Sequence, residues 1–249
     1  MSQRKLSIYL FFMASLLSAC LPGPAAAEVF AILTEEIPPY SYSDGGRVAG
    51  TAVNVVRELL RRVGHPDTIE IRTWSLAYHL ARTEDNHVIF STARTPKRED
   101  MFKWVGPILE DNLVFFARKA SGLAINSLDD ARKVKKIGVY RHDVSEDHLA
   151  EMGFSNLESA SQSAQNARKL AAGRLELWAE NEVVGVETAR RENLSDKIEK
   201  VFVVAHQVMY IAFNRNTPDS IILTWQKALD QMKADGAYNR ILNPFALKD

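Results

Sequence analysis

The chain is 249 residues long, 46% hydrophobic and 25% charged, with 31 basic side chains against 31 acidic ones. This supplies enough apolar residues for one large core or two small ones and excludes a disordered or fibrous chain. A net charge of zero gives no electrostatic footing for nucleic acid or an anionic membrane.

Residues 1–27 read as a secretory leader: Arg4 and Lys5 precede an apolar run from Leu6 to Leu17, then Pro22, Gly23, Pro24 and three alanines. The run is shorter than the roughly 20 residues that a membrane-spanning helix needs. Two processing routes stand open. Cleavage after Ala27 fits a small-x-small rule, while Leu17-Ser18-Ala19-Cys20 is similar to a bacterial lipobox that would lipidate Cys20. Cys20 is the only cysteine, so no intramolecular disulfide forms, and an exported chain without disulfides suits a bacterial periplasm. Loss of the leader leaves 29 positive charges against 31 negative.

Val29 to Leu33 is predicted as a buried strand running into Thr34-Glu35-Glu36-Ile37-Pro38-Pro39-Tyr40. The prolines end regular pairing and leave Glu35, Glu36 and Tyr40 on a loop at the strand's C-terminal edge, where open α/β sheets bind ligands. Position alone fits a solvated loop with a packed tyrosine equally well. Gly45-Gly46 marks a turn, and Val53, Val56, Leu60 and Val63 at helical spacing predict an amphipathic helix ended by Gly64. Thr68 to Arg72 alternates as a strand does, and Trp74 opens the next helix, where it serves as a core plug or as a platform.

His87 to Phe90 is a further buried strand that breaks at Thr95-Pro96, because proline disfavours helical backbone in the residue before it. A helical turn carrying Lys97, Arg98, Glu99 and Asp100 follows. Arg94 and Arg98 thus stand just beyond a strand end, beside unpaired backbone N–H groups, a place that can hold an anion. The plain alternative is a surface pairing of Arg98 with Glu99, Asp100 or a distant carboxylate.

Asn112 to Ala117 is a strand, after which a new βα series begins as if a second sheet had started. Ser127 caps a helix, Lys136 to Tyr140 is a strand, and a helix from about Ser145 to Met152 stops at Gly153. Gln162 to Ala172 is helical and Leu175 to Ala179 is a strand. Two apolar strands, Ile198 to Val204 and Val208 to Phe213, lead back through Ala205-His206-Gln207. A long helix from Pro218 to Gly236 and a last turn from Ala237 to Phe245 complete the chain.

Three strings carry a resemblance. The first is FSTARTPKREDMFKWVGP (Phe90 to Pro107), of the form S-x-x-R-T-P-x-R; the others are LAAGRLELWAENEV (Leu170 to Val183) and DGAYNRI (Asp235 to Ile241). Their order and spacing resemble the type II periplasmic solute-binding proteins, family 3, which include amino-acid receptors of ABC importers. The resemblance runs from about residue 28 to the end. It implies an α/β fold of two lobes, two sheets with flanking helices joined by two hinge crossings, with lobe 1 made from residues 28–112 plus 207–249 and lobe 2 from 113–206.

It also implies a small carboxylate-bearing or amino-acid-like solute bound between the lobes and presented to an inner-membrane permease, with the protein a monomer in the periplasm, soluble or anchored through Cys20. Arg98 would grip the solute's acid group with Arg94 nearby. Trp74 and Tyr40 would wall the cleft, Ser91 and Glu36 would add polar contacts, and Arg141 with Asn181 would close from lobe 2. Two residues depart from the pattern. Asn181 stands where receptors carry an aspartate for the ligand's ammonium, and Asp143, a sound N-cap, stands where they leave helix N–H groups open to the carboxylate. Together they put an ordinary α-amino acid in question.

The same fold hosts cyclohexadienyl dehydratases, so an enzyme using Glu36, Glu180 or Glu182 as acid or base is the alternative. A sensory domain is a third reading, disfavoured because no signalling domain follows Asp249. His65, His79, His87, His142, His148 and His206 have no metal-binding spacing, and no GxSxG, GxxxxGK[ST] or GxGxxG string occurs. No metal or cofactor is expected.

Overall fold

The apolar runs become strands wherever a loop or turn residue cuts them off. The computed structural model describes residues 29–119 and 121–243. It begins with β1 (Ala31–Thr34), then a hairpin of β2 (Tyr42–Asp44) and β3 (Arg47–Ala49) turning at Gly45-Gly46. Helix α1 (Thr51–Val63) buries Val53, Val56 and Leu60, and stops at Gly64, whose φ of 72° suits a residue without a Cβ. Strand β4 (Ile69–Ile71) leads into α2 (Trp74–Thr83), and β5 (His87–Ala93) into a 3₁₀ turn at Glu99–Met101.

The next strand, β6 (Phe102–Arg118), is 17 residues long. After it come α3 (Leu128–Lys133), capped by the Ser127 hydroxyl, then β7 (Ile137–Tyr140), α4 (Val144–Glu151) and β8 (Leu157–Ala160). Helix α5 (Ser163–Ala171), strand β9 (Leu177–Asn181) and helix α6 (Glu182–Arg191) follow. The return strand β10 (Ile198–Asn214) is also 17 residues long, and α7 (Asp219–Ala234) and α8 (Ala237–Leu242) close the described chain. Strand β8 and helix α6 have no counterpart in the sequence reading. Strand β8 is a half-buried edge strand, and α6 follows β9 without a loop to announce it.

Among the described residues eight strands form one sheet in the order β4-β1-β5-β10-β6-β9-β7-β8. The outer triplets are parallel, and the two long strands at the centre run antiparallel. The two separate sheets expected from the resetting βα pattern are therefore joined: β6 and β10 pair from Phe102↔Asn214 to Arg118↔Ile198, with three register shifts. The hinge crossings are the middle of this ladder. Here His206 faces Asn112 and Gln207 faces Asp111, and these polar residues make each strand look like two shorter ones in sequence.

Their polarity marks the waist where the strands leave one core for another. On one side Phe30, Ile32, Phe213, Trp225 and Leu229 pack together; on the other Leu113, Phe115, Ile137 and Leu177 do. Each such fully buried side chain contributes roughly 1.5–3 kcal/mol. No described helix is long and apolar enough to cross a membrane. The leader, with Cys20 and Ala27, lies outside the described residues, as does Phe245 at the end of the predicted last turn.

Candidate functional site

Strand β5 ends at Ala93, and the chain then bends over Thr95-Pro96 so that the Arg98 N–H donates to the Thr95 carbonyl at 2.9 Å. This turn drives Arg98 inward, leaving it 4% exposed. Its guanidinium carbon lies 5.4 Å from the Trp74 ring centre and 5.2 Å from that of Tyr78, a doubly aromatic seat for a cation. One terminal nitrogen, Nη2, is 3.6 Å from Asp147 of α4. The other, Nη1, is buried with no hydrogen-bond partner among the described residues.

Three further buried polar atoms share that condition and line the same small cavity: Ser91 Oγ, Asn181 Oδ1 and Gln207 Oε1. An unpaired buried polar group costs about 1–3 kcal/mol, so a polar occupant that bonded these four would offset much of that cost. The backbone agrees. Ser91 has φ 60°, a strained value for a residue with a Cβ, and sits opposite the register shift between Tyr210 and Ala212 of β10. In this conformation the cavity is about 10 Å³, room for about one water.

Contacts between the two halves of the molecule close it in. The Trp74 indole N–H donates to the His142 carbonyl at 2.8 Å, Lys97 meets Asp147 at 2.8 Å, and the Tyr140 hydroxyl donates to Glu35 at 2.9 Å. Beyond the Glu35–Tyr140 contact lies a larger chamber of about 500 Å³, and Glu35 and Ile37 line both spaces.

Acidic side chains crowd the cavity and its surroundings. Glu35, on the loop after β1, is buried, and burial first, then the charge of Asp143, pushes its carboxyl up to about 8. Behind Asn181, Glu180 is likewise pushed up to about 8, chiefly by burial, and accepts a hydrogen bond from the Ser163 hydroxyl. Asp143 caps α4, accepting from the Ser145 N–H at 3.2 Å, and also lines the cavity. The two readings of Asp143, cap and cleft residue, hold together. Among the described residues no cluster of His, Cys, Asp or Glu is placed to hold a metal ion.

Of the nine residues singled out by sequence, Arg98, Ser91, Trp74, Asp143 and Asn181 line this one cavity. The other four lie apart from it. Tyr40 is buried, but its hydroxyl donates to Asp111 at 2.6 Å, and the adjacent loop presents Ile37 to the cavity instead. Glu36 points outward to the Ser43 N–H and lines only the larger chamber, while its neighbour Glu35 turns in. Arg94 forms an ion pair with Glu99 at 2.5 Å and lies against Trp104 and Tyr210. Arg141 is exposed. Glu182, weighed as a catalytic acid, pairs with Lys200 outside the cavity.

Gln207 was not singled out by sequence, and Glu35, read there on the loop at the sheet's ligand edge, was not among the nine. For Gln207 the available signal was an amide between two apolar strands. For Glu35 it was the choice between adjacent glutamates on a strand end.

A mixed α/β sheet whose two long central strands tie together halves that meet over a buried polar cavity is the architecture of a cleft-binding protein. The chain belongs to the bacterial extracellular solute-binding proteins, family 3, whose model matches residues 31–248. No curated protein matches it.

Three similar solved structures share the fold. A histidine kinase sensor domain with similarity to periplasmic binding proteins is 23% identical, with a TM-score of 0.79 over 88% of this chain and 96% of that one. An ancestral arginine-binding protein bound to glutamine is 19% identical, with a TM-score of 0.76 over 89% and 99%. The ancestral amino acid-binding protein AncCDT-1, a precursor of cyclohexadienyl dehydratase, is 19% identical, with a TM-score of 0.74 over 88% and 95%.

Proposed function

We propose that this protein captures a small amino-acid-like solute in the cleft between two lobes, residues 28–112 plus 207–249 and residues 113–206, and presents it to an inner-membrane ABC importer. The observation that carries this is the convergence of Arg98 Nη1, Ser91 Oγ, Asn181 Oδ1 and Gln207 Oε1, all buried and unpartnered among the described residues, on one cavity. Arg98 and Ser91 offer donors to a carboxylate; Asn181, Gln207 and the Asp143 carboxylate offer acceptors to an ammonium. Asp143 thereby supplies the negative charge that Asn181 lacks. A charge-assisted hydrogen bond to Arg98 contributes about 1.5–3 kcal/mol.

Binding that touches both lobes favours the closed form, which is the form an importer would read. The protein would act as a monomer in the periplasm after removal of residues 1–27, or as a lipoprotein through Cys20. Native mass spectrometry of the mature protein, purified without refolding, tests the reading together with Arg98→Ala. We expect a stoichiometric acid recovered unchanged from the wild type and absent from the variant, with both proteins folded. Retention by Arg98→Ala would overturn it.

A second reading, a dehydratase-like enzyme, draws on Glu35 and Glu180, each held near 8 and so able to carry a proton at neutral pH. Recovery of a substrate together with its dehydrated product would favour that reading.

A further inference from the structure

We propose that Asp111 caps helix α6 in place of Asn181 and so releases the Asn181 side chain to the solute. Asp111 does not line the cavity and is a positioning residue, acting through Asn181. What Asn181 is released to rests on the binding reading above; the exchange of caps does not.

Asn181 ends β9 and stands at the N-cap of α6, with φ −59° and ψ 134°. Asparagine is among the strongest N-cap residues, because its side-chain oxygen accepts from the N–H of the second or third helical residue. Here the side chain makes no such bond. Its Oδ1 atom faces the cavity without a partner among the described residues, in a residue only 6% exposed. Left to itself, an asparagine in this position turns back onto the helix, since one bond then satisfies both its oxygen and an orphan N–H. Another acceptor therefore has to stand at the helix start.

Strand pairing puts Asp111 there. Strands β6 and β9 run antiparallel with Leu113 opposite Asn181. The same register carried past the end of β9 sets Asn112 against Glu182 and Asp111 against Val183, the second residue of α6. Both pairs are in contact: the Asn112 amide donates to Glu182 at 3.2 Å, and the Val183 N–H donates to the two Asp111 oxygens at 3.4 and 3.3 Å. Val183 occupies the position whose N–H a capping asparagine takes. Two further donors hold Asp111 to this task, the Tyr40 hydroxyl at 2.6 Å and the Asn112 N–H at 2.7 Å. The partial positive charge of a helix N-terminus favours an acid in that place. Packing fixes the same turn: Val184 is 1% exposed and lies in the core that holds Tyr40, Phe30 and Trp225. Helix α6 thus starts where it does without the Asn181 side chain.

A double-mutant cycle followed by urea melts of the mature protein, with no solute added, tests the exchange. In the wild-type background Asn181→Ala removes an oxygen that bonds nothing and should leave the midpoint unchanged or raise it. In Asp111→Ala, Asn181 takes over the Val183 N–H, so adding Asn181→Ala should lower the midpoint further. A merely structural Asp111 predicts the same effect of Asn181→Ala in both backgrounds, and that result overturns the proposal. Should Asp111→Ala fail to fold, the wild-type background still decides: a lower midpoint in Asn181→Ala alone means that Asn181 already caps α6.

Calorimetric titration with L-alanine, L-glutamine, L-glutamate and L-arginine gives the second readout. Any of these that binds the wild type should bind Asp111→Ala about tenfold or more weakly, because its amino group loses the Asn181 oxygen. Asp111→Asn keeps an oxygen for the Val183 N–H and should recover most of that loss, since asparagine caps about as well as aspartate. Wild-type affinity in Asp111→Ala overturns the positioning role. An additive cycle combined with loss of binding in Arg98→Ala leaves the cleft reading standing and removes Asp111 alone. Binding that survives Arg98→Ala sinks the cleft reading, and failure of all four probes on the wild type overturns the role given to the Asn181 oxygen along with it.

Discussion

Arg98 combines two demands that only a guanidinium meets. It sits over the rings of Trp74 and Tyr78 with one nitrogen 3.6 Å from Asp147 and another buried without a partner among the described residues. A lysine has one charged nitrogen and no plane, so it can serve one of these directions but not both. Arg98→Lys should therefore fold with a thermal midpoint close to wild type yet lose roughly 1.5–3 kcal/mol of solute affinity, the worth of a charge-assisted bond. Titration of the solute identified by mass spectrometry checks this, and wild-type affinity would mean that Arg98 serves packing alone.

At this scale the string that carries the resemblance puts Arg98 and Ser91 on the wall of one cavity. The sequence misled where a partner far along the chain decides the role. Tyr40 is claimed by Asp111, 71 positions away, and no local pattern announces that bond.

Secondary-structure elements place these side chains, and their ends do most of the positioning. Asp143 caps α4 and faces the cavity at once, and the two roles can be separated. Asparagine is as good an N-cap as aspartate but carries no charge. Asp143→Asn should keep stability within about 0.5 kcal/mol while weakening an amino-bearing solute, whereas Asp143→Ala should lose about 1 kcal/mol of stability as well. Paired urea melts and titrations read both, and equal destabilisation by the two changes would refute the cap assignment.

The start of α1 offers a test on backbone alone. Gly50 has φ 128°, and a Cβ there would overlap the Tyr40 carbonyl, a backbone atom with little freedom to move. Gly50→Ala should cost about 1–3 kcal/mol, seen as a lower urea midpoint. An unchanged midpoint would mean that this loop yields. The elements themselves were legible from apolar periodicity and glycine stops, α1 and Gly64 above all. The continuity of β6 and β10 was not, because Glu110, Asp111, His206 and Gln207 interrupt their apolar pattern at the waist, and only the pairing of one strand with the other carries the ladder through.

For the molecule as a whole, the buried acids set a pH dependence whose sign follows from linkage. Glu35 and Glu180 are ordinary carboxyls near 4.5 when exposed and rise to about 8 in the folded protein. Between those values the folded state holds protons that the unfolded state has released, so stability is fully present below about 4.5 and is lost as pH rises through 8. The half-buried, ion-paired carboxyls of Glu58, Glu158 and Glu187 shift the other way, down to about 2. Their contribution is complete above 4.5 and does not change between pH 5 and 8. In the absence of solute the thermal midpoint should therefore decline from pH 5 to pH 8, and Glu35→Gln with Glu180→Gln should flatten the curve. A midpoint that rises over this range would refute the burial of these acids in solution. The slope of stability against pH thus reports on the burial of these two carboxyls in solution.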